Sequence, residues 1–86
     1  MKVRYDNGDK GRVYSGEPGE IVRKIFEDEG RWLGVKSKNQ FMSGIIGRIN
    51  LMYKKEIVLI GHTDEERCRL FLLLLAKWWG ARILEN

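Results

Sequence analysis

The residues best suited to binding chemistry are cations in the middle of the chain, accompanied by one tryptophan. From Gly30 to Lys55 there is no Asp or Glu. Lysine and arginine attract phosphates largely through counterion release, and an aromatic plane stacks on a base. We expect a basic surface over residues 31–55 that binds an anionic partner, above all DNA or RNA. The contacts we predict are Arg31, Trp32, Lys36, Lys38, Lys54 and Lys55. Two alternatives stay open: these cations are ordinary solvated side chains, and Trp32 packs back onto the core.

Residues for catalysis are sparse. His62 is the only histidine, and it precedes the predicted cap of the last helix, near Asp64 and Glu65. No serine or cysteine nucleophile has a supporting motif, and no glycine pattern of a phosphate-binding loop occurs. The single cysteine, Cys68, excludes an internal disulfide framework and a cysteine-based zinc site. We therefore expect a non-enzymatic protein with no metal, cofactor or small-molecule substrate.

The last helix is apolar on nearly all sides. Cys68, Phe71 and Leu75 share one narrow face, whereas Leu70 and Leu73 lie on the opposite side. The cover for these two leucines is a second copy of the chain, a different protein or another element of the same chain. We predict a second copy, which gives a homodimer or higher homo-oligomer with an interface at Leu70, Leu73 and Lys77.

The elements that position these residues can be predicted from hydrophobic periodicity and from turn and capping residues. Alternation around Asn7-Gly8 predicts an N-terminal β-hairpin. Three helices follow from apolar stripes and from capping boxes at Ser37 and Thr63, with Gly30 as the stop of the first helix. The helices are predicted over residues 18–29, 37–53 and 64–79, and a buried strand over residues 57–60. The predicted fold is α+β in the order ββααβα, and residues 81–84 form a short final strand or a docked tail. Gly44 and Gly47 are expected to let another element approach the second helix closely.

Length and charge set the limits. A chain of 86 residues supports one compact domain, residues 1–86. Its formal net charge is +4, and acidic clusters at residues 27–29 and 64–66 flank the acid-free stretch. The longest apolar run, residues 70–76, is too short for a bilayer span, so we expect a cytoplasmic protein without membrane contact. The leading hypothesis is a small basic module that self-associates through its C-terminal helix and binds nucleic acid. The alternative is a protein-interaction or assembly subunit with no nucleic-acid role.

Overall fold

Three strands form an antiparallel sheet with the first strand at its centre. The computed structural model describes the backbone of residues 1–7 and 10–86, and the side chains of residues 1–6, 11–30 and 34–86. The strands are β1 (Lys2–Asn7), β2 (Lys10–Ser15) and β3 (Ala81–Glu85), in the spatial order β2-β1-β3. The sheet therefore joins both ends of the described chain.

The N-terminal hairpin is confirmed. Val3 and Tyr5 are buried, whereas Arg4 and Asp6 between them are exposed, which is the alternation of a strand with one covered face. Val3 pairs with Tyr14 in the hairpin register. The turn predicted at Asn7-Gly8 lies outside the described residues.

The three helices are α1 (Pro18–Leu33), α2 (Lys38–Tyr53) and α3 (Asp64–Trp78). Helix α1 packs against β2, α3 packs against β3, and α2 packs against α1. The rings of Phe26, Phe41 and Phe71 form a chain of contacts between them, with centroids 6.0 and 5.8 Å apart. This chain of rings joins the three helices within one hydrophobic core. Within the part of the chain that the structure describes, no helix is both long enough and apolar enough to cross a membrane.

Both predicted capping boxes form, with one difference. Ser37 Oγ accepts from the Gln40 backbone N–H, and Thr63 Oγ1 accepts from that of Glu66, both at 3.1 Å. The return bonds reach one residue further back than expected. Gln40 accepts from the Lys36 N–H at 2.9 Å, and Glu66 from the N–H of the residue before Thr63 at 2.6 Å. Since these donors precede the cap, the side chains also fix the entry of each helix.

The predicted end of the first helix was wrong. Helix α1 continues through Gly30 to Leu33, and Gly34 is the stop, with the left-handed φ of 68°. A Cβ on Gly30 would lie 2.7 Å from the Phe26 ring, so this glycine serves close packing and not chain reversal.

The α+β class is confirmed, but the predicted element order was wrong. Residues 57–60 belong to no strand, and Val58 and Ile60 are 68% and 76% exposed. The third strand is β3, after the last helix, so the order is ββαααβ. A run of four aliphatic residues indicates burial on both faces, and here only Ile57 and Leu59 pack against the core.

Helices α2 and α3 run side by side in the same direction. Lys38 at the start of α2 binds Asp64 at the start of α3, while Tyr53 and Trp78 meet at their ends. The sixteen residues of α2 span about 24 Å. Residues 55–63, here called the return segment, must run back over that distance to the start of α3. In helical form, these nine residues would span only about 14 Å. The return segment is therefore largely extended.

Candidate nucleic-acid interface

The ends of α2 and α3 bring two aromatic rings and three lysines together. The rings of Tyr53 and Trp78 lie 4.9 Å apart between centroids, at an interplanar angle of 44°. The Nζ atoms of Lys55 and Lys77 each lie 5.2 Å from the centre of the Trp78 ring, within cation–π range. Lys54 lies between Tyr53 and Lys55 in the chain and is counted in this aromatic–lysine cluster, in which Trp78 is half-buried and the other four residues are exposed.

The backbone at Lys54 sets this geometry. Lys54 adopts the left-handed conformation, with φ 55° and ψ 48°, and its N–H donates to the Asn50 carbonyl. The Lys55 N–H donates to the same oxygen at 3.0 Å. A side-chain-bearing residue rarely adopts this conformation, because its Cβ crowds the backbone. The reversal ends α2 and places Lys55 over Trp78.

The charge of the cluster exceeds what the helices need. Each helix C-terminus carries roughly half a negative charge, so the two parallel ends supply about one. Lys54, Lys55 and Lys77 supply three positive charges, and the exposed Glu56 subtracts one. Among the described side chains, none of the ion pairs includes these three lysines. The cluster therefore carries an excess of about one positive charge beside its two rings.

The predicted contacts divide between the two ends of α2. Lys54 and Lys55 lie in the cluster, whereas Lys36 and Lys38 lie at the other end, about 24 Å away. Lys36 is exposed, but Lys38 is half-buried and binds Asp64. That hydrogen bond raises the pKa of Lys38 and, with the charge of Lys38, lowers the pKa of Asp64.

The remaining two predicted contacts, Arg31 and Trp32, belong to α1. Their side chains lie outside the described part of the structure. Their place on the basic surface stays a prediction.

The predicted interface on α3 continues from the cluster. Lys77 belongs to the cluster, and Leu73 and Leu70 follow it on the same face of the helix, one and two turns back. Leu73 is 39% exposed and Leu70 is half-buried. This face is therefore only partly covered within the monomer. Self-association through it stays a prediction.

The acidic residues at the start of α3 have contacts within the chain. Asp64 binds Lys38 and lies 3.6 Å from Arg67. Both carboxylate oxygens of Glu65 lie 3.2 Å from the Gly19 N–H, at the start of α1. Glu66 accepts from the backbone just before α3. These carboxylates therefore offset helix N-termini and a lysine.

A second polar cluster ties the hairpin to α1. The Tyr14 hydroxyl donates to Asp28 Oδ2 at 2.5 Å, and Arg12 donates to the same oxygen at 3.1 Å. Burial first, and then the bond to Asp28, raises the pKa of Tyr14. Burial, followed by the charge of Glu29, raises the pKa of Tyr5 to about 12. Both tyrosines stay protonated at neutral pH, and Tyr14 acts as a structural donor to Asp28.

In the described part of the chain, Glu29, the neighbour of Asp28 in that cluster, has an unsatisfied buried oxygen. Its Oε1 is buried without a hydrogen-bond partner among the described residues. Burial, and then the charge of Asp28, raises the pKa of the Glu29 carboxyl. A buried carboxyl oxygen without a hydrogen-bond partner is a cost to folding.

Three other sequence-based candidates are placed as follows. His62 is exposed, and its backbone N–H binds Glu66. The close approach expected at Gly44 and Gly47 was wrong. A Cβ on Gly44 would meet only Arg48 of the same helix, and a Cβ on Gly47 would meet nothing within 4 Å.

Sequence reasoning missed the aromatic half of the cluster. In the sequence, Tyr53 and Trp78 fall on the apolar faces of their helices, which predicts core packing. The available signal was composition at the helix ends, where Tyr53-Lys54-Lys55 and Lys77-Trp78 each join an aromatic ring to lysine. What the sequence lacked was the parallel arrangement of α2 and α3, which brings the two ends together.

Comparison with known proteins adds no relative. No family model matches the sequence, no curated protein matches it, and no solved structure matches the fold. The functional argument therefore rests on the geometry of the chain itself.

Proposed function

We propose that this chain is a non-enzymatic module that binds single-stranded nucleic acid at the aromatic–lysine cluster. The observation that carries the proposal is the packing of Tyr53 and Trp78 between lysines whose ammonium groups have no carboxylate partner among the described residues. Proteins that bind single strands combine aromatic stacking platforms with cations that hold the backbone. In a duplex the base faces are stacked on one another and are not accessible. Aromatic rings that offer a stacking surface therefore favour a single strand.

The salt dependence follows from the three lysines. Each phosphate neutralised on a single strand contributes about −0.7 to the slope of log affinity against log salt concentration. Three contacts predict a slope of about −2. A site that also includes Lys36, at the far end of α2, would give a steeper slope, because each added phosphate contact steepens the salt dependence. The measured slope therefore distinguishes the two sites.

Fluorescence anisotropy with labelled oligothymidylate and oligouridylate tests the proposal across a salt series. Lys55→Ala and Lys77→Ala should each make the slope shallower by about 0.7. Tyr53→Leu keeps apolar packing but removes the stacking face, so affinity should fall about tenfold at an unchanged slope. Arg23→Ala removes an equal charge from α1 and is the matched control, expected to change neither quantity.

Two results would contradict the proposal. One is no binding at low salt. The other is an equal loss in Arg23→Ala and in the cluster variants, which would indicate attraction to net charge alone. DNA against RNA preference is read from the same titrations.

A second candidate function is an assembly subunit that uses the α3 face. It is favoured by the partial exposure of Leu73 in line with Leu70 and Lys77. Leu73→Glu should then reduce the mass measured by light scattering. An unchanged mass and melting temperature would remove this face as an interface.

A further inference from the structure

The return segment presents an unusual surface. Val58 and Ile60 are 68% and 76% exposed, while Ile57 and Leu59 between and beside them pack against the core. This alternation is that of a β-strand with one covered face. The segment is thus a strand in exposure pattern and extension, although it belongs to no sheet.

In the described part of the chain, the backbone of residues 56–61 is paired at Ile57 only, whereas the N–H groups of Lys55 and His62, toward the ends of the segment, donate to Asn50 and Glu66. The Asn50 side chain accepts from the Ile57 N–H at 2.9 Å and donates to the Ile57 carbonyl at 3.0 Å. Within the described residues, no hydrogen bond reaches the backbone of Val58, Leu59 or Ile60. An exposed apolar strand with free N–H and C=O groups is a template for pairing with another strand.

The sequence around the segment is complementary to itself in reverse. Lys54 and Lys55 precede the apolar residues, and the acidic residues 64–66 follow them. In an antiparallel pair of two copies, the basic end of each copy lies toward the acidic end of the other. A parallel pair would place like charges together, which is unfavourable. The charge order therefore selects a two-fold antiparallel contact.

One register of this antiparallel pair places exposed side chains opposite exposed ones and core-facing side chains opposite core-facing ones. With Leu59 opposite Leu59 of a second copy, Val58 lies opposite Ile60, so all four exposed aliphatic side chains meet on one face. The same register places Glu56 opposite His62 of the second copy. A shift by one residue would put exposed side chains opposite core-facing ones, because the side-chain period of a strand is two.

We infer that two copies of this chain associate by antiparallel pairing of residues 56–62. The contact joins the segments into a two-stranded ribbon backed by α2 of each copy and covers Val58 and Ile60. It is separate from the α3 face and requires no nucleic acid. Although Lys54 and Lys55 belong to both surfaces, sedimentation without nucleic acid tests the dimer alone, so its failure is distinguishable from a failure of the proposed function.

Sedimentation velocity over a concentration series tests the inference in the absence of nucleic acid. The wild-type chain should be dimeric, and Ile60→Lys should raise the dimer dissociation constant at least tenfold. Its melting curve extrapolated to low concentration should match the wild type, because Ile60 is exposed in the monomer. Leu51→Lys is the matched control: Leu51 is 82% exposed but lies on α2 outside the segment, so the dimer should persist.

Cysteine pairing tests the register. A mixture of Val58→Cys and Ile60→Cys chains, oxidised with glutathione disulfide, should cross-link as heterodimers more than either variant alone. A parallel contact would instead cross-link each variant with itself. A monomeric wild type, a dimer unchanged by Ile60→Lys, or a dimer dissociated only by Leu73→Glu would each overturn the inference.

Discussion

Replacing Asn50 by alanine tests whether one side chain holds the return segment against α2. The carboxamide makes two partly buried hydrogen bonds to Ile57, at 2.9 and 3.0 Å. Each such bond contributes about 0.5–1.5 kcal/mol net, and the Ile57 groups left unpaired move the loss toward the upper end. We expect the free energy of unfolding to fall by roughly 1–3 kcal/mol. For a domain of this size, that lowers the melting temperature by about 5–15 °C.

The control lies in the same helix. Asn39 is exposed, and its side chain takes part in no hydrogen bond among the described residues. Asn39→Ala has the same change in chemistry and a similar gain in helix propensity, so the difference between the variants isolates the bonds to Ile57. Thermal and urea unfolding followed by circular dichroism measures that difference, and amide exchange at Ile57 reports it locally. If Asn50→Ala is no less stable than Asn39→Ala, the carboxamide does not anchor the segment.

Two further predictions concern stability. Because the folded-state pKa of Glu29 is raised, its carboxyl favours folding when protonated and opposes it as pH rises through that pKa. Glu29→Gln should therefore raise the melting temperature by a few degrees at neutral pH, and the gain should vanish below about pH 4; a gain that is independent of pH would contradict the assignment. Gly47→Ala should stabilise the protein by up to about 1 kcal/mol, since the added methyl meets open space. Gly30→Ala should destabilise it by displacing Phe26, and equal effects in urea unfolding would refute the distinction between the two glycines.

The elements that local chemistry specifies were predictable. The hairpin alternation at Val3 and Tyr5 and the caps at Ser37 and Thr63 depend on neighbours within a few residues, and the structure contains all of them. Gly30 shows where such reasoning ends. Gly30 and Gly34 look alike in sequence, but one is buried against Phe26 and the other ends the helix. Only the tertiary packing distinguishes a glycine needed for space from one needed for its φ.

The misread strand has a related cause. Residues 57–60 have the composition of a strand buried on both faces, and composition does not say what covers it. In the monomer, α2 covers one face through Ile57 and Leu59, and β1 already has β2 and β3 as its neighbours. Because both sides of the central strand are occupied, the segment cannot pair with β1. The four aliphatic residues keep the signature of a strand whose partner is not in the monomer.

The parallel arrangement of α2 and α3 also accounts for the uneven charge of the sequence. Parallel helices place both N-termini at one end and both C-termini at the other, so acids are favoured at the first and cations at the second. Asp64 and Glu65 meet the first requirement, and Lys54, Lys55 and Lys77 meet the second. Most of the charge pattern is therefore internal electrostatics. Two helix ends require only about one positive charge, however, and the three lysines at these ends, two of them over the Trp78 ring, exceed that requirement. This excess, beside the exposed ring of Tyr53, is what the proposed binding surface has beyond a pair of well-capped helices.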